Sequence, residues 1–125
     1  MIKNTDKKAL RDMHERRFWG TVKNLISLCP TDRPVIVKLA RSMETECLGD
    51  CSQNPKNYYI RLNQSVFDVS KATIYLVLAH EWAHAMSWNE SGRDHDGEWG
   101  KSLAKCWRVI TNEESEVNNG LDRVE

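Results

Sequence analysis

Residues 80 to 84 read His80-Glu81-Trp82-Ala83-His84, which places two histidines four positions apart with a glutamate beside the first. In an α-helix, residues four apart lie only about 40° around the axis and one turn along it, so both imidazoles can reach one ion. Glu81 is offset by about 100°, which is close enough to hydrogen-bond a water on the metal but awkward for a ligand. The stretch therefore predicts a helical zinc site with Glu81 as general base.

A catalytic zinc needs a third protein ligand and an open position for water. The metzincin pattern would place Gly at position 87 and His at position 90, where this chain has Ser87 and Glu90. His95 is the best candidate, because it follows the predicted end of the helix, where a loop can fold back to the ion. Imidazole also suits zinc better than a lone exposed carboxylate. The acidic neighbours of His95 stay open as alternatives: Asp94, Asp96 and Glu98.

The helix that carries the motif is predicted to be buried, because residues 72–86 are apolar on nearly every side. Either Asp68 or Ser70 can cap its start with a side-chain oxygen. Residues 91–92, Ser-Gly, supply a stop, since glycine accepts the left-handed conformation that closes helices.

Two further helices are predicted from apolar residues at helical spacing. The first covers residues 6–29 and ends at Pro30. The second follows residue 96 and is capped by Asp94 or Asp96. The apolar face of the first helix is predicted to comprise Leu10, Met13, Phe18, Val22, Leu25, Ile26 and Cys29, and that of the last helix Trp99, Leu103, Cys106, Trp107 and Ile110.

A small sheet of three short strands is predicted between these helices. Residues 34–39 contain a β-branched run, and two more strands are expected at Glu44–Leu48 and Tyr58–Leu62. The segment between them, residues 49–57, is dense in Gly, Asp, Ser, Asn and Pro and is predicted to be the turn. The pattern as a whole indicates an α+β domain.

Length and composition fit one domain: the chain has 125 residues, of which 40% are hydrophobic. We expect this domain to cover residues 1–112 and an acidic flexible tail to cover residues 113–125, which have little to bury. The longest apolar stretch, residues 74–79, is far shorter than the roughly 20 residues of a membrane span. The amino terminus lacks the apolar core of a secretory signal, so we expect a cytoplasmic protein.

The four cysteines are too few and too irregularly spaced to indicate a disulfide framework, so reduced thiols are expected. Cys47 and Cys51 are four apart but lack a matching Cys or His pair, and their role stays open. Net charge is zero, yet residues 1–41 carry 10 Lys or Arg against 4 acids. This basic third could face nucleic acid or an acidic partner, but a sequence pI near 6.9 favours a solvated helix face.

The segments HEWAHAMSW (80–88) and HDGEW (95–99) resemble the SprT-like zinc metallopeptidase family, and the likeness spans about residues 55–110. Members carry an HExxH helix, a loop, a third His usually followed by Gly, and an aromatic residue four positions after that His. Here Asp96 takes the usual place of the Gly, which falls at Gly97.

The resemblance implies a zincin-like α+β fold with a long first helix, a small three-stranded sheet, a buried HExxH helix and a carboxy-terminal amphipathic helix. In such folds the strand nearest the metal helix commonly pairs with the substrate, which would place Tyr58–Asn63 beside it. The resemblance also implies individual roles: Glu81 as catalytic acid and base, Trp99 as a packing residue that opens the last helix, and His80, His84 and His95 as Zn²⁺ ligands.

A four-cysteine zinc ribbon often follows this domain in the family, but only Cys106 lies downstream of the motif here. The compact form is similar to versions carried by phages and prophages, which implies the host cytoplasm. The expected function is hydrolysis of peptide bonds in a protein or peptide substrate. Two alternatives stay open: a non-catalytic phage accessory or virion protein whose zinc is closed by a fourth ligand such as Asp94, and a DNA-associated protein-processing factor.

Overall fold

The computed structural model describes residues 4–41, 47–65, 70–88, 95 and 97–119. This part of the chain has an α+β fold with three long helices and a small three-stranded mixed sheet, as the sequence predicted. The elements in chain order are α1 (Asn4–Leu28), β1 (Val35–Ala40), β2 (Gly49–Gln53), β3 (Tyr58–Asn63), α2 (Lys71–Met86) and α3 (Gly97–Asn119).

The sheet has the strand order β1-β3-β2, so β3 is the central strand. β1 runs parallel to β3, with Val35 opposite Tyr58, and β2 runs antiparallel to it, with Gly49 opposite Leu62. The core-facing side chains of β3 are fully buried: Tyr58, Ile60 and Leu62. A strand with neighbours on both sides commits its backbone groups to the sheet. β3 therefore holds the sheet together and has no open edge.

The middle strand in chain order lies later than predicted. The structure places it at Gly49–Gln53, whereas the prediction put a strand at Glu44–Leu48, of which residues 44–46 lie outside the described part. The turn that follows needs only residues 54–57, because the Asn54 side chain accepts hydrogen bonds from the backbone N–H groups of Lys56 (2.8 Å) and Asn57 (2.7 Å). So tight a turn leaves the residues before it to pair with β3.

Helix α1 confirms the predicted long helix, but only its second half joins the core. Phe18 and Leu25 are fully buried, whereas Leu10 and Met13 are 47% and 44% exposed. The predicted apolar face is therefore wrong at these two residues and at Ile26, which is 53% exposed. The physical reason is that no other described element covers residues 8–13, all of which are exposed.

Helix α2 begins as predicted at the cap formed by Ser70, whose Oγ accepts a hydrogen bond from the N–H of Thr73 at 3.2 Å. The alternative cap Asp68 and the predicted stop at residues 91–92 lie outside the described residues. The second half of α2 is buried, but its first half exposes Leu76 by 52%. The prediction of burial on all sides is thus correct only for the half that carries the histidines.

Trp82 lies on the face of α2 opposite the histidines and is fully buried. Its indole Nε1 donates a hydrogen bond to the backbone oxygen of Cys29, just beyond the end of α1, at 2.9 Å. Tyr75, two turns earlier on α2, contacts the ring of Phe18 with centroids 6.1 Å apart. These contacts join α2 to the carboxy-terminal half of α1.

Helix α3 packs against α2, where Cys106 contacts Met86. Cys106 and Ile110 are buried as predicted, whereas Trp107 is 37% exposed. The helix extends to Asn119, so the predicted flexible tail is helical as far as that residue. Residues 112–119 contain neither Pro nor Gly, which leaves nothing to stop the helix. The domain boundary itself stays a prediction. In the described part of the chain, no helix combines the length and apolar character that a membrane crossing requires.

Candidate metal site

The structure brings the three predicted histidines together into a histidine cluster, defined as His80, His84 and His95. The first two project from adjacent turns of α2, and His95 lies just before α3. One ligand nitrogen from each ring lies within 4.8 Å of the others, and the Nε2 atoms of His84 and His95 are 3.1 Å apart. The cluster is positioned to bind a metal ion.

Of the other predicted ligands, only Glu98 lies among the described residues, and it is not part of the histidine cluster. Glu98 lies on the exposed side of α3 and forms an ion pair with Lys101 at 3.4 Å. Asp94 and Asp96 lie outside the described residues. Among the residues that the structure describes, the histidine cluster is the only group of three or more His, Cys, Asp or Glu side chains placed to hold a metal ion. It does not include Cys47 or Cys51, the two cysteines considered for a second site.

Trp99 forms an aromatic wall on the histidine cluster. Its ring centroid lies 4.5 Å from that of His95, 5.0 Å from that of His80 and 5.7 Å from that of His84. Its Nε1 also donates a hydrogen bond to the backbone oxygen of His80 at 3.3 Å. The resemblance implied only a packing residue at the start of the last helix, whereas the structure shows that Trp99 contacts all three imidazole rings.

Glu81 lies next to His80 on α2 and is 8% exposed. Burial raises the pKa of its carboxyl to about 7, and the negative charge of Asp50 adds to this effect. Burial also lowers the pKa of His80, with a further contribution from His95. The neutral imidazole, which is the form that binds metal, is thereby favoured at His80.

A cleft of about 530 Å³ opens beside Glu81 and was not predicted from the sequence. One wall is the residues at and before the start of β2, and the other is a stripe of α2 at spacings of three and four that ends in His80 and Glu81. The predicted substrate strand, Tyr58–Asn63, is wrong, because β3 is already paired on both sides. The edge strand β2 lies next to the cleft instead.

The model of the SprT-like family matches residues 8–119, which include the three histidines, Glu81 and Trp99. A match over this much of the chain shows membership, so the chain belongs to the SprT-like family. No curated protein and no solved structure matches it significantly.

Proposed function

We propose that this chain is a zinc-dependent peptidase with a zincin-like fold that hydrolyses peptide bonds in proteins or peptides. One observation carries the proposal: three imidazoles converge on one point while the buried carboxyl of Glu81 projects from the same helix. Membership of the SprT-like family supports it, since the family is associated with metallopeptidase activity.

The donor set fits zinc. Two ligand nitrogens that each lie about 2.05 Å from a tetrahedral zinc ion are separated by about 3.3 Å. The Nε2 atoms of His84 and His95 are 3.1 Å apart, close to that separation. Three neutral nitrogen donors with a position left for water are the set that catalytic zinc sites use. We therefore assign His80, His84 and His95 as the ligands.

When bound, zinc would lower the pKa of a coordinated water towards about 7 and polarise the substrate carbonyl. Glu81 accepts the proton of the attacking water and then gives it to the leaving amine. In the metal-free protein burial raises the pKa of this carboxyl to about 7, and the positive charge of a bound zinc ion would lower it again. A carboxylate beside the metal can accept a proton and return it, which is the role we propose for Glu81.

The test compares two glutamate substitutions in zinc-loaded protein. Glu81→Gln is expected to lower kcat/KM on a denatured protein substrate by about 10²–10⁴-fold, because it removes the general base. Its zinc content, measured by elemental analysis, should equal that of the wild type. The matched control is Glu98→Gln, which changes an exposed carboxylate outside the cluster and should leave activity unchanged.

Two outcomes would contradict the proposal. One is a wild-type protein that holds one zinc ion yet cleaves none of a broad panel of unfolded proteins and peptides. The other is a Glu81→Gln variant with wild-type activity. A structural zinc closed by a fourth protein ligand would give the first outcome, and Asp94→Asn or Asp96→Asn would then weaken zinc binding.

A further inference from the structure

The cleft beside Glu81 has an apolar part that takes no role in the proposed metal chemistry. Its walls away from the histidines are apolar or small: Leu48, Gly49, Thr73, Leu76 and Val77. Leu48 and Leu76 are 43% and 52% exposed, so two large aliphatic side chains are open to solvent in one depression. Exposed apolar residues that line a concavity indicate a binding site more strongly than scattered ones do.

The stripe on α2 connects this cleft to the candidate metal site. Thr73 lies three and four residues before Leu76 and Val77, and Val77 lies three and four residues before His80 and Glu81, so all five lie on one face of the helix. With a rise of 1.5 Å per residue, Leu76 lies about 6 Å along the axis from His80. That separation is about two residues of an extended chain. A substrate chain that ran along α2 with its peptide bond at the histidines would place a side chain within two residues of that bond over Leu76.

Gly49 lets the opposite wall approach α2 closely enough to form the cleft. A Cβ atom at this position would lie 2.7 Å from Cγ1 of Val77 and 2.9 Å from the backbone oxygen of Arg61. Any larger residue would push the start of β2 away from the helix or displace Val77. The cleft is thus shaped by a close contact between the edge strand and the metal helix.

We propose that this cleft is a specificity pocket, and that it binds an aliphatic or aromatic side chain of the substrate within two residues of the bond that is cleaved. The inference rests on the proposed function. Its volume of about 530 Å³ falls within the roughly 300–1,000 Å³ of small-ligand pockets. Binding of an apolar side chain would cover Leu48 and Leu76, which accounts for two exposed leucines beside the candidate active site.

The first experiment identifies the preference. Zinc-loaded wild-type protein is incubated with a peptide library derived from a whole proteome, and the cleavage sites are read by mass spectrometry. We expect Leu, Ile, Met and Phe to be enriched at one position next to the cleaved bond. Two peptides that differ only there, Leu against Ala, should then differ about tenfold in kcat/KM.

The second experiment assigns that preference to the cleft. Leu76→Ala and Leu48→Ala should each reduce the tenfold ratio to about twofold, because they remove the apolar contact from opposite walls. The matched control is Leu28→Ala, since Leu28 is 55% exposed at the end of α1, outside the cleft. A general structural defect would slow both peptides equally and leave the ratio unchanged.

The outcomes separate this proposal from the peptidase proposal. Cleavage without an apolar preference, or a ratio that survives both Leu76→Ala and Leu48→Ala, overturns the specificity pocket and leaves the peptidase intact. A zinc-loaded wild type that cleaves nothing in the library overturns both. Because Leu76 and Leu48 are exposed, the variants should fold, and a thermal melt equal to that of the wild type confirms that they do.

Discussion

Two polar clusters in this protein are built on opposite principles. Around Tyr58, donors meet acceptors: its hydroxyl donates to Asp32 Oδ1, and Arg33 donates to Asn54 O at 2.8 Å and lies over the Tyr58 ring, 5.5 Å from the centroid. We call Asp32, Arg33 and Tyr58 the tyrosine network. The histidine cluster instead turns three groups of the same kind towards one point.

The difference separates a structural cluster from a ligand site. Complementary groups such as those of the tyrosine network satisfy one another, so the network is complete within the protein. Three neutral imidazoles offer at best alternate donor and acceptor nitrogens, and their common complement is a cation. Changes in the first cluster should therefore alter folding stability, and changes in the second should alter metal binding. The following variants test that separation, from the largest expected effect to the smallest.

His95→Ala should abolish stoichiometric zinc binding. Loss of a direct ligand is expected to weaken zinc affinity by well over the 100-fold that loss of an orienting partner costs. Because His95 is exposed, the free energy of unfolding of the metal-free protein should change by less than about 0.5 kcal/mol. Titration calorimetry and urea denaturation measure the two quantities. Retention of wild-type zinc affinity would show that His95 is not a ligand.

Glu81→Gln should stabilise the metal-free protein at alkaline pH. Burial raises the Glu81 pKa to about 7, so between its ordinary value of 4.5 and 7 the folded state keeps a proton that the unfolded chain releases. The contribution of Glu81 to the free energy of unfolding is therefore fully present below pH 4.5 and is lost as pH rises through 7. The uncharged glutamine should avoid this loss, which amounts to up to roughly 3 kcal/mol at pH 8.

Urea denaturation in the presence of a chelator, repeated between pH 4.5 and 8, measures this difference. The wild-type and Glu81→Gln stabilities should diverge as pH rises. Parallel curves across that range would mean that the carboxyl is not held in an environment that favours its protonated form. Glu98→Gln serves again as the control, since Glu98 is more than half exposed.

Trp99→Phe should weaken zinc binding by about 10–100-fold while leaving the three ligands in place. The substitution removes the hydrogen bond to His80 O and part of the ring surface against the histidine cluster. We expect the hydrogen bond and the ring contacts to hold the imidazoles in place before metal binds. Without them the rings must become ordered on binding, which weakens the net zinc affinity. Zinc affinity measured against a competing chelator tests this. An unchanged zinc affinity would show that Trp99 serves only as a packing residue.

Tyr58→Phe should have the smallest effect and the opposite pattern to His95→Ala. It removes one hydrogen bond to Asp32, which is worth about 1 kcal/mol of folding stability. Zinc affinity should equal that of the wild type, because the tyrosine network is separate from the histidine cluster. A fall in zinc affinity as large as that of Trp99→Phe would break the distinction between the two clusters.

The histidine cluster was predictable from the sequence because its signal is local. His80 and His84 meet by helical spacing alone, and His95 needed only a reversal of the chain after the helix. The contact of Trp99 with all three rings depends on how α3 crosses α2, which no spacing along the chain reveals. The sequence did carry a hint, since Trp99 lies four positions after His95.

The misplaced strand and the cleft share a different cause. The residues of β2, Gly-Asp-Cys-Ser-Gln, have low intrinsic preference for strands, and they form one because β3 and α2 lie beside them. Gly49 in particular resembles a turn residue in sequence, yet the structure requires it for close contact with Val77. The exposed start of α1 shows the converse: periodicity at Leu10 and Met13 indicates a face but not whether anything covers it.

The hydrogen bond from Trp82 to Cys29 O affects the orientation of His80 and His84 on the other side of α2. Rotation of α2 about its own axis would swing both imidazoles away from His95, and the buried indole on the far side of the helix prevents that rotation at the same turn. Trp82, midway between His80 and His84 in the sequence, thus holds this turn of α2 in place. A contact on the far side of α2 therefore sets the direction in which the imidazoles of His80 and His84 point.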